Sequence, residues 1–215
     1  NVMPFQIYGS PKMKSLKDSK GKKFAISRFG SLSEFLTRSA LRQAGVDPKD
    51  VTMLQIGATP ARFTTLATGI VDATILWFPV TERAKSVGMN KLFDLKDLYP
   101  NWTNVGFIAR EGWLAKEKEQ TAKFLRAYQR GVKHTRENRD DGIRALRKYV
   151  GLDAAEAGAG YDEYRDSFPL DGHILDAGIL ATVEQEIETG RLKAKISANE
   201  MIDYSFINAI GKSTR

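Results

Sequence analysis

Cysteine is absent from this sequence of 215 residues, so disulfide bridges, cysteine nucleophiles and thiolate metal sites are all excluded. Histidine is scarce: His134 and His173 lie far apart, without carboxylates at a spacing that indicates a metal site. No apolar run approaches the roughly 20 residues of a transmembrane helix. The first residues, NVMPFQIYGSP, do not have the pattern of an export signal and are typical of the middle of a domain. We expect that residues upstream of Asn1 have been removed or omitted.

Motifs for catalysis and for nucleotide binding are missing as well. The phosphate-binding pattern Gly-x-x-x-x-Gly-Lys does not occur, and the stretch Arg28-Phe-Gly-Ser lacks the remaining glycines of a dinucleotide fingerprint. Ser31 has no histidine close in sequence that would act as its general base. Acidic residues such as Asp140 and Asp141 are typical of a solvated helix surface. The sequence therefore predicts no catalytic residue, no metal site, no cofactor and no enzyme activity.

The net charge of +7 raises nucleic acid as a partner. The densest basic stretch, from Lys12 to Lys23, has no interleaved aromatic residues and lies where a solvated connector is expected. A second basic stripe, Arg126, Arg130 and Lys133, is typical of a wetted helix surface. No nucleic-acid-binding motif accompanies either stretch, so we predict no nucleic-acid partner. The overall positive field favours attraction of a small anion instead.

Apolar segments of strand and helix type alternate from residue 22 to residue 77. The predicted elements are strand Lys23–Ser27, helix Ser31–Ala44, strand Val51–Ile56, helix Pro60–Thr68 and strand Val71–Trp77. Thr59 is expected to cap the second of these helices, with Pro60 as its first residue. Such alternation indicates an α/β fold with parallel strands and right-handed crossovers. Two further strands are predicted, over Phe5–Tyr8 and Val105–Ala109. Everything beyond is helical, including helices predicted over Gln120–Arg136 and Ala198–Ile210. One strand is too little to cover so much helix, and we expect a second sheet supplied mostly from outside this chain.

The stretch from Lys22 to Gly45 organises the rest of the chain. A short apolar strand passes through a glycine-serine turn into an amphipathic helix. Ser31 and Glu34 have the spacing of a capping box, which satisfies some N–H groups of the first helical turn. The N–H groups that stay free make a helix start of this kind an anion-binding site. The simpler interpretation, that Ser31 only caps the helix, stays open.

Three strand ends are expected to meet at one edge of the sheet, where ligands of open parallel sheets bind. These ends carry Arg28, Phe29, Gly30, Ser31 and Ser33, then Gly57, Ala58, Thr59 and Arg62, and then Trp77, Phe78 and Thr81. Two ends bring a helix N-terminus and the third brings aromatic residues, which favours a small organic anion with a flat or apolar body. The alternatives are that Trp77 and Phe78 fill the core and that Arg62 is an ordinary surface arginine.

Three runs of the sequence resemble the solute-binding proteins of nitrate, sulfonate and taurine-type ABC importers and their pyrimidine-precursor-binding relatives. The runs are SLKDSKGKKFAISRFGSLSEF, VTMLQIGATPARFTTLATGIVDATILWFP and NVGFIAREGWL. The most specific parts are Ser15–Lys23, where Ser19 replaces the usual leucine, and Leu66–Ala73 with its Gly69 and Asp72. The resemblance covers nearly the whole chain.

This resemblance implies a type II periplasmic-binding-protein-like α/β fold, in which two lobes are joined by two crossover strands. Residues 1–19 would be the end of lobe 1 and the first crossover. Residues 20–102 would form lobe 2, a parallel βαβαβ sheet, and residues 103–215 the second crossover and the helical return to lobe 1. One lobe would be incomplete in this chain. The resemblance also implies Gly30, Ser31 and Ser33 as ligand contacts, together with Trp77, Phe78 and Pro79.

The implied function is that of an extracytoplasmic protein, periplasmic or tethered to the surface, without a membrane span of its own. It would deliver a small organic anion, such as a sulfonate, a carboxylate or an aromatic acid, to the permease of an ABC importer by closing its lobes. Two alternatives stay open. One is an enzyme or binder in thiamine-pyrimidine metabolism, and the other is the effector-sensing domain of a transcription factor, which a helix-turn-helix upstream of Asn1 would select.

Overall fold

The computed structural model describes residues 3–212. The chain divides into two compact units, one running from Met3 to Pro100 and the other from Asn101 onward. The first unit is built on a sheet and the second on helices. None of the helices in the described part of the chain has the length and apolar character needed to span a membrane.

The first unit is a five-stranded sheet with helices on its faces. Its elements are β1 (Phe5–Gly9), β2 (Lys23–Ile26), α1 (Leu32–Gln43), β3 (Thr52–Gln55), α2 (Thr59–Ala67), β4 (Ala73–Trp77), α3 (Val80–Ser86) and β5 (Asn90–Asp94). The strand order is β3-β2-β4-β1-β5, with β2 parallel to β3 and β4, and β1 antiparallel to β4 and β5. The predicted α/β class and the alternation of strands and helices are confirmed.

The core of the first unit lies on both faces of the sheet, because successive residues of a strand point to opposite faces. On one face Ala25 and Leu76 pack with Leu66 of α2 and with Val80 and Ala84 of α3. Helix α1 contacts β2 and β4 and buries its apolar side, including Leu36 and Leu41. Strands β2 and β4 are therefore covered on both sides, which explains why their sequences are apolar almost throughout.

The segment Leu66–Ala73, which carries much of the resemblance, ties the sheet together at the edge where β2 and β4 begin. Gly69 ends α2 with φ of 75°, a conformation that favours glycine. The Asp72 carboxylate accepts a hydrogen bond from the Lys23 backbone N–H at 2.9 Å, and the Asp72 N–H donates to the Lys23 carbonyl at 2.8 Å. The Asp72 carbonyl also accepts from Ser10 N–H at 2.8 Å. Asp72 therefore links β1, β2 and β4.

We expect the substitution Asp72→Ala to lower the free energy of unfolding by about 1–3 kcal/mol, because it leaves the Lys23 N–H without its acceptor. Urea unfolding measures the change. Asp50→Ala is the matched control, since the Asp50 side chain makes only a 4.0 Å ion pair with Lys20 at the surface, worth under about 1 kcal/mol. Equal losses in the two variants would contradict a linking role for Asp72.

The second unit consists of helices. They are α4 (Glu111–Lys116), α5 (Lys118–Glu137), α6 (Arg139–Ala145), a π-helical turn over Leu146–Val150, α7 (Ala154–Tyr164), α8 (Asp176–Glu188), α9 (Ala198–Met201) and α10 (Ser205–Lys212). The terminal helix predicted over Ala198–Ile210 is divided into α9 and α10. Between them, the Tyr204 hydroxyl donates to the Ile174 carbonyl at 2.9 Å and accepts from the Ile174 N–H at 3.3 Å. These bonds fix Tyr204 outside a helix.

The strand predicted over Val105–Ala109 is not formed. Residues 102–110 have no regular secondary structure, and the side chain of Ile108 is 99% exposed. Phe107 packs edge-on against Phe124 and Tyr128 of α5, with ring centroids 4.8 and 4.9 Å away. A strand needs a neighbour that accepts and donates its backbone hydrogen bonds. No strand of the described second unit lies beside this segment.

Candidate functional site

The turns that carry the predicted ligand-binding residues leave the sheet at one edge. Strand β2 lies between β3 and β4, and the register pairs Ile26 with Gln55 and Ala25 with Thr74. Because the three strands are parallel, their carboxyl ends point the same way. We call this side of the first unit the carboxyl edge. Strand β1 is antiparallel to β4 and begins here, with Phe5 opposite Trp77.

The turn from β2 to α1 is held by three serine hydroxyls. Ser27 Oγ lies 2.9 Å from Ser31 Oγ and 2.8 Å from Ser33 Oγ, and the last two are 2.9 Å apart. The buried Ser33 Oγ also accepts a hydrogen bond from the Ser27 N–H at 2.8 Å. Ser31 Oγ donates to the Arg28 carbonyl at 2.6 Å. The hydroxyls of Ser31 and Ser33 therefore stabilise the conformation of the turn.

The predicted capping box is only half formed. Ser31 is the N-cap and accepts from the Glu34 N–H at 3.5 Å, but the Glu34 carboxylate reaches past Ser31 to the Gly30 N–H at 2.6 Å. Its other oxygen pairs with Arg38 at 2.8 Å. The Phe29 N–H donates to the Gln55 side chain at 3.3 Å. The N–H groups of Phe29, Gly30 and Ser31 thus already donate to protein atoms, the last to the Arg28 carbonyl at 3.3 Å, and the first helical turn of α1 supplies the amides that remain.

The turn from β3 to α2 differs from the prediction in two ways. Thr59 is not the cap: Ala58 occupies that position, has no side chain that caps the helix, and Thr59 is the first helical residue. Arg62 is not a surface residue, since only 4% of it is exposed. Its guanidinium donates to the Gly57 carbonyl at 2.5 Å, to Thr59 Oγ1 at 3.0 Å and twice to the Ile75 carbonyl at 3.1 and 3.3 Å.

Burial lowers the pKa of Arg62 to about 10, because desolvation penalises the charged guanidinium. The group remains protonated at neutral pH. It therefore places a buried positive charge beside the N-terminus of α2, where the helix dipole is also positive. Sequence periodicity offered one signal for this burial: Arg62 and Leu66 are four residues apart, and hence on the same face of α2.

The turn after β4 supplies aromatic surface. Trp77 is 40% exposed, and its ring stacks on Phe5 with centroids 5.6 Å apart and planes 18° apart. The alternative that Trp77 fills the core is therefore wrong. Phe78 and Pro79 are half-buried and joined by a cis peptide bond. Phe29, which follows β2, is 56% exposed.

Two further candidates from the sequence, Arg28 and His134, lie at the surface. Arg28 is exposed and makes no ion pair with the described residues. His134 contacts Asp141 at 2.7 Å in the second unit, as a surface pair. No group of three or more metal-ligating side chains occurs within residues 3–212. The carboxyl edge thus combines two helix N-termini, serine and threonine hydroxyls, a buried arginine and exposed aromatic rings, which suits recognition of a small organic anion.

Comparison with protein families agrees with this architecture. A family model described as "NMT1/THI5 like" matches residues 3–141. No curated protein matches the chain in sequence. Among solved structures, the periplasmic aliphatic sulphonate binding protein SsuA from Escherichia coli is 27% identical with a TM-score of 0.72, and the match covers 93% of this chain and 65% of that one.

Two further structures share the fold at lower identity. The alkanesulfonate-binding protein SsuA from Xanthomonas axonopodis pv. citri, bound to MOPS, is 20% identical with a TM-score of 0.70, over 92% of this chain and 68% of that one. The desulfurization enzyme DSZB is 15% identical with a TM-score of 0.77, over 100% of this chain and 77% of that one. The predicted likeness to periplasmic binding proteins is confirmed. The chain spans about two thirds of the length of the sulfonate-binding proteins.

Proposed function

The chain belongs to the NMT1/THI5-like family, and on that premise we propose that it is a solute-binding protein that delivers a small organic anion to an ABC importer. The proposed location is extracytoplasmic, in line with the periplasmic protein from Escherichia coli that it resembles. The proposed partners are the ligand and the importer's permease. The observation that carries the proposal is the meeting of two helix N-termini, buried Arg62 and exposed Trp77 at one edge of one sheet.

Each part of the carboxyl edge has a role in this proposal. The free amides at the start of α1 and α2 would bind the anionic group, together with the Thr59 hydroxyl, whose oxygen accepts from Arg62 and whose proton can be donated to the ligand. Trp77 and Phe29 would cover the apolar body of the ligand. Sulfonate, carboxylate and aromatic acid share this chemistry, so the site supports the class of small organic anions as a whole.

The arrangement of lobes is part of the same proposal. Residues 20–102 would form lobe 2, with residues 1–19 as the end of lobe 1 and the first crossover, and residues 103–215 as the second crossover and the return to lobe 1. The exposed apolar side chains of Val105, Phe107 and Ile108 support it, since they fit a segment that pairs with strands from outside the described chain. Contacts from both lobes would favour the closed state on binding.

The structural similarity to the enzyme DSZB is weaker support for the alternative that this chain is an enzyme. At 15% identity it carries the fold alone, and this sequence has no cysteine to act as a nucleophile. The carboxyl edge also lacks histidine among its described residues, since both histidines lie in the second unit. We therefore retain ligand binding without chemical conversion as the proposed activity.

Thermal unfolding of the full-length protein tests the proposal. Methanesulfonate, benzenesulfonate, benzoate and a neutral pyrimidine serve as probes, and sodium chloride at equal ionic strength is the control. A ligand present at a hundred times its Kd stabilises by about 2.7 kcal/mol. We therefore expect at least one anionic probe to raise the Tm by about 5–10 °C. Unchanged melting with every probe would refute ligand binding of this class.

A further inference from the structure

Arg62 is the one basic side chain that is almost fully buried among the side chains that the structure describes, with 4% exposed. Burying a charge in protein costs free energy unless a counter-charge or several hydrogen bonds replace the lost water. Most buried arginines meet this cost with a carboxylate. The surroundings of Arg62 are different, because all of its bonds go to uncharged oxygens.

Four hydrogen bonds hold the guanidinium. Nε and Nη2 both donate to the Ile75 carbonyl, Nη2 donates also to Thr59 Oγ1, and Nη1 donates to the Gly57 carbonyl. A guanidinium has five N–H groups. One N–H of Nη1 therefore has no acceptor among the described residues, and no acidic group neutralises the charge.

The start of α2 has free donors as well. Ala58 has no side chain that caps the helix, and Thr59 Oγ1 accepts from Arg62 instead of from the N–H groups of the helix. Pro60 has no N–H, and the N–H groups of Thr59 and Ala61 have no acceptor among the described residues. Two backbone donors and one buried guanidinium N–H thus belong to the same turn. Together they are complementary to one negatively charged group.

We propose that Arg62 is the specificity-determining residue of the carboxyl edge, and that the negatively charged group of the ligand is the counter-ion that the chain itself does not supply. The inference rests on the function proposed above and adds to it. It assigns the charged head of the ligand to the turn between β3 and α2, and it predicts that an uncharged ligand of the same shape is rejected. Arg62 would also position the turn, by tying Gly57 to Ile75 of β4.

The test compares two probes of nearly equal shape, methanesulfonate and uncharged dimethyl sulfone, by isothermal titration calorimetry. The wild-type protein should prefer the anion. Arg62→Gln, which removes the charge, should reduce that preference about tenfold or more. Arg62→Lys, which keeps the charge, should retain most of the preference while binding both probes more weakly. Arg42→Gln, an equal loss of charge at the exposed far end of α1, should leave the preference unchanged.

If Arg62 only holds the turn against β4, its replacement by glutamine would weaken the binding of both probes by the same factor. That outcome overturns the inference while leaving the proposed function intact. Failure of the wild-type protein to bind any of the anionic probes overturns both.

Arginine-selective ¹⁵N NMR on the wild-type protein decides the matter should Arg62→Gln not fold. Arg62 is identified as the guanidinium whose protons exchange slowly with water. Its resonances should shift as methanesulfonate saturates the protein. Resonances that stay unchanged while the probe binds would overturn the assignment of the anion to this turn.

Discussion

Replacing Gly178 by alanine is expected to destabilise the helical unit by about 3 kcal/mol, at the upper end of what overpacking usually costs. Gly178 lies in the first turn of α8, against the chain where it enters this unit. An added Cβ would clash with the Asn101 carbonyl oxygen, and would lie 2.5 Å from Thr103 Oγ1 and 2.8 Å from the Thr103 backbone N. Two of these atoms belong to the main chain and cannot rotate away, so α8 and residues 101–103 would have to separate.

Gly131→Ala is the matched control, because it makes the same change inside helix α5, where the new methyl group meets no atom within 4 Å apart from the neighbouring backbone of its own helix. Alanine is the better helix former, and this variant should be more stable by about 0.5–1 kcal/mol. Helical circular dichroism during heating measures both variants. We expect the Tm of Gly178→Ala to fall by about 6–12 °C. A Tm equal to that of the wild-type protein would show that α8 does not pack closely on residues 101–103.

The first unit was predictable from sequence because local pattern and tertiary structure agree there. A four-residue apolar strand, a glycine-serine turn and an amphipathic helix specify β2, the turn and α1 without reference to the rest of the chain. The same pattern recurs through β4. Since parallel strands end at a common edge, the meeting of the three turns followed from the alternation alone.

The burial of Arg62 was missed because it depends on groups that are distant in the sequence. Its acceptors include the carbonyl of Ile75, thirteen residues further along the chain. In the sequence, TPARFTT is an ordinary amphipathic start of a helix. The cap of α2 was misplaced by one residue for a related reason: the Thr59 hydroxyl, which would suit a cap, accepts from Arg62 instead. Local sequence preference does not predict the position of a cap when a tertiary hydrogen bond engages the side chain that would have capped the helix.

The second unit shows the converse limit of sequence reasoning. Val105–Ala109 has the composition of a strand, but a strand exists only beside a partner, and the described second unit provides none. Helices such as α5 were predicted well, since their hydrogen bonds are internal and their periodicity is long. The difference between the two elements is therefore the source of their backbone hydrogen bonds.

Removing the Trp77 ring is expected to have the largest effect on ligand affinity. If the function proposed above holds, Trp77→Ala should weaken binding of benzenesulfonate about 30-fold, which corresponds to about 2 kcal/mol, because an exposed aromatic anchor is lost. Methanesulfonate has no ring to stack and should lose less than about threefold. Trp77→Phe keeps an aromatic face against Phe5 and should restore most of the affinity for benzenesulfonate.

Trp113→Ala separates this effect from the loss of any exposed tryptophan. Trp113 is 45% exposed, close to the 40% of Trp77, but it lies in α4 of the helical unit. Its removal should leave the Kd of benzenesulfonate unchanged. Equal losses for the two tryptophan variants would count against a ligand contact at Trp77. Equal losses of benzenesulfonate and methanesulfonate in Trp77→Ala would mean that Trp77 supports the turn at Phe78 and Pro79, whereas a loss confined to the aromatic probe places the ring of the ligand on Trp77 itself.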